Sequence, residues 1–335
     1  MKKNHFVGID ISAEKLDVAV IDAEQQPKQP AFQVNNDWDG FEHLVEQVQK
    51  KNVPLKDVWF CFEHTGVYGL LLSVYLQQKG LTFSVVPAME IKNSMGITRG
   101  KNDALDAKRI AEYAATHKLT PTTLPAQSLL VIKQLLTYRY QLVKMRTQWM
   151  NMLKSHERLV EVTRVNYVIS PIEKQIKQLT KQVHEAEDKI RHIIKEDDEL
   201  NKNYDLISSV KGIGLVVAAF MLVHTGNFSR FPDARKFNCY VGVAPFEHSS
   251  GSSYKGKTKV SPLANKAMKT LLYNSANTAI RADQELKAYY ERKKLEGKAQ
   301  QSIMNAIACK IIGRAFSVVK RKSPYVEIYA QKFNT

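Results

Sequence analysis

Residues 5 to 22, HFVGIDISAEKLDVAVID, carry an apolar, β-prone run, FVGIDI, and then an alternating one, LDVAVID, in which Leu16, Val18 and Val20 share a face. The pattern predicts two strands joined by a short turn, a hairpin opening a mixed sheet. A third short strand follows around Ala31 to Val34, then a helix from about Trp38 to Lys51, VWFCFE as a buried strand, a helix from Tyr68 to Gln78, and LTFSVVP as another strand. Strands alternating with helices predict an α/β sheet. Pro87, Gly96 and Gly100 punctuate the approach to a helix that starts near Asp103.

After THKLTPTTLPA the period changes. Val131, Leu135, Tyr138, Leu142, Met145, Trp149, Met152, His156 and Leu159 fall at alternating spacings of four and three, as do Ile172, Ile176, Leu179, Val183, Ala186, Ile190 and Ile193. Two heptad-patterned helices separated by a turn near Asn166 to Pro171 predict an antiparallel helical hairpin or coiled-coil arm. The seam either packs within one chain or joins two protomers, and Tyr138 and Trp149 are expected in its core. Beyond KEDDEL, ISSVKGIGLVVAAFMLVH reads as a short helix, a Lys211-Gly212-Ile213-Gly214 turn and an apolar helix. This is the pattern of a helix-hairpin-helix element, whose glycines let backbone amides approach a phosphate, and equally of an ordinary αα turn.

In FNCYVGVAPFEHSSGSSYKGKTKVSP, residues His248 to Lys259 are almost wholly Ser, Gly, Lys and Thr. That composition predicts an exposed, mobile loop inside a domain, with Lys255, Lys257 and Lys259 available to phosphates and several serine hydroxyls. Three amphipathic helices are expected from Leu263 to about Lys320, ending in the basic run VVKRKSP. The boundaries expected are residues 1–118, 126–198 and 203–330.

The candidate chemistry lies in the first third. Asp10 ends one β-type run, Glu63 ends another, and Asp103 and Asp106 in KNDALDAKRIAEYA are one helical turn apart on one face. Convergent carboxylates suit hard divalent cations, and two such ions about 4 Å apart can stabilise both the attacking and the leaving oxygen of a displacement at phosphorus. The plainer reading is a helix N-cap at Asn102 or Asp103, with Asp106 favoured by the helix dipole. Asp17 is left outside the site, because alternation sets it opposite Leu16 and Val18.

Charge sharpens this picture. Of 49 Lys and Arg, 13 fall in residues 1–116 against 15 Asp and Glu; the remaining 36 face only 18 acids in residues 117–335. The net charge of +16 therefore arises wholly outside the acidic cluster, as suits a protein that holds a polyanion with its later parts. The three cysteines are far apart and form no CxxC pair, against a disulfide framework or zinc knuckle. No apolar leader and no uninterrupted 18-residue apolar window is visible, so a cytoplasmic protein with no membrane association is expected. No P-loop is present.

The order Asp10, Glu63, Asp103 and Asp106, followed by heptads, SSVKGIG and VGVAPFEHSSGSS, resembles the DEDD (RuvC-like) transposases of bacterial insertion sequences, the group that includes Piv-type DNA invertases and bridge-RNA-guided recombinases. The resemblance covers nearly the whole chain. It implies an N-terminal RuvC/RNase H-like α/β domain, a central coiled coil and a mostly α C-terminal transposase domain. It implies four acids holding Mg²⁺, which Mn²⁺ can replace, and a serine nucleophile that maps onto Ser250, with Ser249 as the alternative register. It further implies donor and target DNA, an element-encoded structured guide RNA, and a homo-oligomer, dimer or tetramer, in which one protomer's carboxylates face another's serine. Two rivals use the same residues differently: a Holliday-junction-type endonuclease with water as nucleophile, and a nucleic-acid-binding scaffold with a degenerate site. An actin-like ATPase, prompted by GIDIS, lacks a second glycine-rich hairpin.

Overall fold

A computed structural model describes residues 3–50, 53–94, 103–244, 246–250, 254–259 and 264–326, with side chains at all but 103–104, 246–250 and 254–259. The chain forms two compact units, Met1–Leu124 and Pro125–Thr335.

The first unit contains β1 (His5–Ile11), β2 (Lys15–Asp22), β3 (Phe32–Asn35), α1 (Trp38–Gln49), β4 (Val58–Glu63), α2 (Leu70–Gln78), β5 (Phe83–Val86), α3 (Ala88–Ser94) and α4 (Asp103–Thr116). The sheet order is β3-β2-β1-β4-β5, with β1, β2 and β3 antiparallel and β4 and β5 parallel to β1. A short turn joins β1 to β2 and a longer loop joins β2 to β3, while α1 and α2 supply the crossovers that parallel neighbours need. Asp37 starts α1 by accepting a hydrogen bond from Gly40 N at 2.8 Å. Alternation divides the sheet. Val7, Ile9, Leu16 and Val18 pack with Phe41, Leu44 and Leu72 of α1 and α2 in one core. On the opposite face Cys61 packs with Ile110 and Ala114 of α4, and burial pushes its thiol pKa up to about 12.

The second unit contains α5 (Gln127–Thr163), α6 (Ile169–Glu196), α7 (Asp198–Ser208), α8 (Leu215–Thr225), α9 (Ala234–Val241), β6 (Phe246–Ser250), β7 (Tyr254–Lys259), α10 (Lys266–Ala282), α11 (Gln284–Leu295) and α12 (Gln300–Arg321). Helices α5 and α6 form an antiparallel hairpin: Ser128 bonds Asp197, Arg139 pairs with Glu187 at 2.6 Å, and Leu142 packs on Leu179 and Val183. Helix α6 buries its expected seam through Ile172, Leu179, Val183, Ala186 and Ile190.

Helix α5 does not. It buries Leu129, Ile132, Leu136 and Leu142, whereas Val131, Tyr138, Met145, Met152 and Leu159 are 37%, 47%, 45%, 44% and 52% exposed. The helix carries two neighbouring stripes, and the one facing α6 includes Arg139, whose match with Glu187 disguises it as polar. Tyr138 is thus a surface residue, while Trp149 packs beside Leu142. The base of the hairpin shares one core with the later helices, from Leu129 and Ile190 through Phe237 to Ile311. Helix α12 is long and apolar enough to cross a membrane by composition, but its apolar side, from Ile303 to Val318, belongs to that core.

The segment from His248 to Lys259 also departs from the loop expectation. It contains a two-stranded antiparallel ribbon in which Ser250 is the register partner of Tyr254 and Ser249 of Lys255. YKGKTK alternates with period two, and that periodicity prevails over its polar composition.

Ile190 is fully buried where the α5–α6 hairpin meets the later helices. Ile190→Ala is expected to cost about 2–5 kcal/mol in denaturant unfolding; a cost below about 1 kcal/mol would contradict this packing.

Candidate active site and nucleic-acid interface

Strand register brings the first two acids together. Gly8 lies beside Cys61 on parallel neighbours, so Asp10 and Glu63, each two residues farther along, finish adjacent strands on the face that α4 covers. Helix α4 reaches that face because β1 has a glycine there. A Cβ at Gly8 would collide with the Ala107 carbonyl oxygen and the Ala111 amide nitrogen. This close approach sets Asp106, the residue before Ala107, and Asp103, one turn earlier, on the helix against the strand that carries Asp10.

The register also corrects the placement of Asp17. It is the direct cross-strand partner of Asp10, and opposed residues of an antiparallel pair share a face. Alternation against Leu16 and Val18, which had excluded Asp17, is what turns it toward the α4 face. Gln33 Nε2 donates to both carboxylate oxygens of Asp17, at 3.2 and 3.3 Å, and is its register partner on β3. The cue in the sequence was the hairpin itself: a turn between Ile11 and Lys15 fixes which residues oppose one another.

Other carboxylates are already engaged. Asp106 accepts from Arg109 at 2.7 Å, with side chains 29% and 19% exposed. Asn36 Nδ2 donates to the carbonyls of Ser12 at 2.9 Å and Tyr68 at 3.1 Å, tying the loop after β1 to the loop after β4. Among the described residues no three His, Cys, Asp or Glu side chains stand ready as a metal cage; the side chain of Asp103 lies outside the description. The carboxylate set fits a hard divalent cation in donor chemistry, provided that Asp106 exchanges Arg109 for the ion.

In the second unit, the turn between α7 and α8 is built around Gly212. Its φ is +92°, and a Cβ there would meet the Ser275 carbonyl oxygen at 2.6 Å and Ala279 Cβ at 2.9 Å. Ser275 Oγ donates to Gly212 O at 2.6 Å, fixing the turn against α10. Gly214 caps α8 without a side chain and has open space where a Cβ would stand. A cleft of about 530 Å³ results, lined by Ser208, Lys211, Gly212, Gly214, Asn274 and Thr278 among others. Ser250 ends β6, and Lys255, Lys257 and Lys259 occupy alternate positions of β7; their side chains, and Gly251, Ser252 and Ser253 entirely, lie outside the described residues.

Two family models match this chain: the IS110-type DEDD model described as Transposase over residues 7–160, and Transposase IS116/IS110/IS902 family over residues 204–291. The chain belongs to the IS110 family of DEDD transposases. It is an enzyme of the DNA recombinase/transposase class. The pilin gene-inverting protein of Moraxella bovis is 24% identical over 96% of this chain and 97% of its own length. The insertion element IS116 44.8 kDa protein of Streptomyces clavuligerus is 21% identical over 95% of both chains. The transposase for insertion sequence element IS1111A of Coxiella burnetii is 21% identical over 55% of this chain and 56% of its own. The first family match contains all four sequence-predicted acids and Asp17, and the second contains Lys211, Gly212, Gly214 and Ser250.

In this transposase, Gly8→Ala is expected to push α4 off the sheet, costing about 1–3 kcal/mol or more of stability in chemical denaturation and abolishing recombination. Wild-type stability and activity in that variant would refute the close approach.

Proposed function

We propose that this transposase recombines DNA by metal-assisted attack of a serine. The observation that carries the reading is the register that sets Asp10 and Glu63 on neighbouring strand ends beneath the helix bearing Asp103 and Asp106. The five-stranded order β3-β2-β1-β4-β5, with α4 on the acidic face, supports reading this unit as RuvC-like. Asp10, Glu63, Asp103 and Asp106 would hold Mg²⁺, or Mn²⁺ in its place, with Asp17 beside Asp10 adding negative field. Bound there, the ion supplies Lewis-acid stabilisation of charge on the scissile phosphate.

Ser250 is the nucleophile of this proposal. The Ser250 Oγ–P bond forms as the P–O3′ bond breaks; the hydroxyl proton passes to solvent, the leaving 3′ oxygen is protonated, and the 5′ phosphate remains on the enzyme. Attack by a new 3′ hydroxyl reverses the step and rejoins the strand without ATP. Lys255, Lys257 and Lys259 on β7 offer cations to the flanking phosphates. Lys211 and the open N-terminus of α8 at Gly214 grip a backbone phosphate in the cleft. The surplus of 36 basic over 18 acidic residues in residues 117–335 suits DNA together with a structured guide RNA.

Assembly follows from α5. Val131, Tyr138, Met145, Met152 and Leu159 recur every seven residues and are all exposed, a seam that suits a second copy of the chain.

The test uses the purified full chain, Mg²⁺ and a plasmid carrying the coding segment with its flanking DNA and transcript. Asp10→Ala should abolish recombination and leave nucleic-acid retention within about twofold, because positioning by phosphate contacts is separate from chemistry; retained activity would sink the metal assignment. Ser250→Ala should eliminate a denaturation-resistant protein–DNA adduct. Loss in Ser249→Ala instead would shift the register, and hydrolysis without any adduct would favour water as nucleophile.

The assembly has its own measurement. Replacing Tyr138, Met145 and Met152 together with Gln should halve the sedimenting mass or more, and an unchanged mass would rule out this seam.

A further inference from the structure

The hairpin that carries Ser250 leaves the helical core after α9 and returns to it at α10. The exit closes on a backbone carbonyl of α9, and the return is tied to Tyr240 on the same helix. At the exit, the Asn238 carbonyl accepts from the amides of Gly242, Val243 and Ala244 at 3.0, 3.1 and 3.3 Å, with Gly242 at φ +76°. At the return, Asn265 N donates to the Tyr240 carbonyl at 3.2 Å, and Asn265 Nδ2 reaches the Tyr240 hydroxyl at 3.4 Å.

The direction of these bonds is set by the backbone. Asn265 Oδ1 is fixed as an acceptor, because it caps α10 by taking the Met268 amide at 3.0 Å. Its Nδ2 must therefore donate to Tyr240 Oη. His224 Nδ1 stands 2.9 Å from the same oxygen and accepts its proton when the imidazole is neutral with its own proton on Nε2. Its surroundings keep it so. Phe220 stacks on the imidazole at 5.5 Å, and burial, with Lys133 and Arg230 facing it, brings its pKa down to about 4. Tyr240 also packs on Phe231 and Phe237 at 5.5 and 5.9 Å. The ring leans on Phe231 and Phe237 with one side exposed, while the hydroxyl joins α8, α9 and the start of α10.

We propose that Tyr240, held between Asn265 and His224, is a positioning residue that clamps the two ends of the β6–β7 hairpin and so sets Ser250 for attack. The proposal rests on the serine reading above for its catalytic consequence, but the clamp itself is measurable without it. Nothing in the sequence marked these three residues: they are spread over α8, α9 and the approach to α10, and only the fold brings them together.

The test compares Tyr240→Phe, His224→Leu, His224→Asn and Ser250→Ala in the full chain with Mg²⁺ and the same plasmid. Tyr240→Phe keeps the ring and removes both hydroxyl bonds. It should slow adduct formation about tenfold or more through misplacement of the hairpin, while gel-shift retention of the plasmid fragment stays within about twofold. Amide exchange in residues 246–250 and 254–259 should rise about tenfold, with α8 unchanged. His224→Leu should reproduce both effects. His224→Asn, whose carbonyl oxygen can take the place of Nδ1 as acceptor, should restore them toward wild type.

Wild-type exchange in the hairpin of Tyr240→Phe would overturn the clamp. A loosened hairpin with an unchanged adduct rate, in a protein whose Ser250→Ala variant forms no adduct, would overturn the positioning role. If Ser250→Ala still forms the adduct, the serine assignment falls, and the exchange data alone decide the clamp.

Discussion

The first unit depends on how closely one helix can approach one strand. With no Cβ at Gly8, the backbone of α4 at Ala107 and Ala111 settles directly onto β1. The closeness of the Asp10 strand to the start of α4 follows from that contact. Asp10 is two residues beyond the glycine on the strand, and Asp106 immediately precedes the alanine on the helix. The distance between helix and sheet, normally set by interleaved side chains near 10 Å, is here reduced by the absence of one methyl group. Side chains as short as aspartate can then converge from elements that a larger residue would hold apart.

The second unit is organised differently. A single core runs from the base of the α5–α6 hairpin through α12, and the candidate DNA-contacting features stand at its periphery on glycine turns and a short ribbon. Gly212 lets the α7–α8 turn settle onto Ser275, and Gly242 turns the chain out of α9 toward the hairpin. A packed helical body carrying small tethered excursions suits the covalent strand exchange proposed above, in which a link would be made and later reversed at the same atom.

Much of this was legible from periodicity. The strands of the first unit alternate cleanly, so β1, β2, β4 and β5 were readable, and the order of the four acids marked the candidate site proposed above. Where pattern failed, a competing physical signal was present. Helix α3 is only seven residues and too short for an amphipathic window. Helix α5 has two apolar stripes, and the ion pair of Arg139 with Glu187 made the buried one look polar. The β6–β7 ribbon has the composition of a loop and the period of a strand. The face of Asp17, opposite Leu16 and Val18, was legible in β2, but only the pairing of β2 with β1 shows that Asp10 shares it. Tertiary partners such as His224, Tyr240 and Asn265 leave no local trace at all.

The pairing of Asp10 with Asp17 has a thermodynamic side. Opposed residues of an antiparallel pair are held side by side on one face, and Asp17 also takes two hydrogen bonds from Gln33. The folded sheet thus keeps two carboxylates closer than the unfolded chain would. Under the metal reading proposed above, a cation held between them would bind only the native sheet, so its binding would stabilise the fold and resistance to unfolding would rise with ion occupancy.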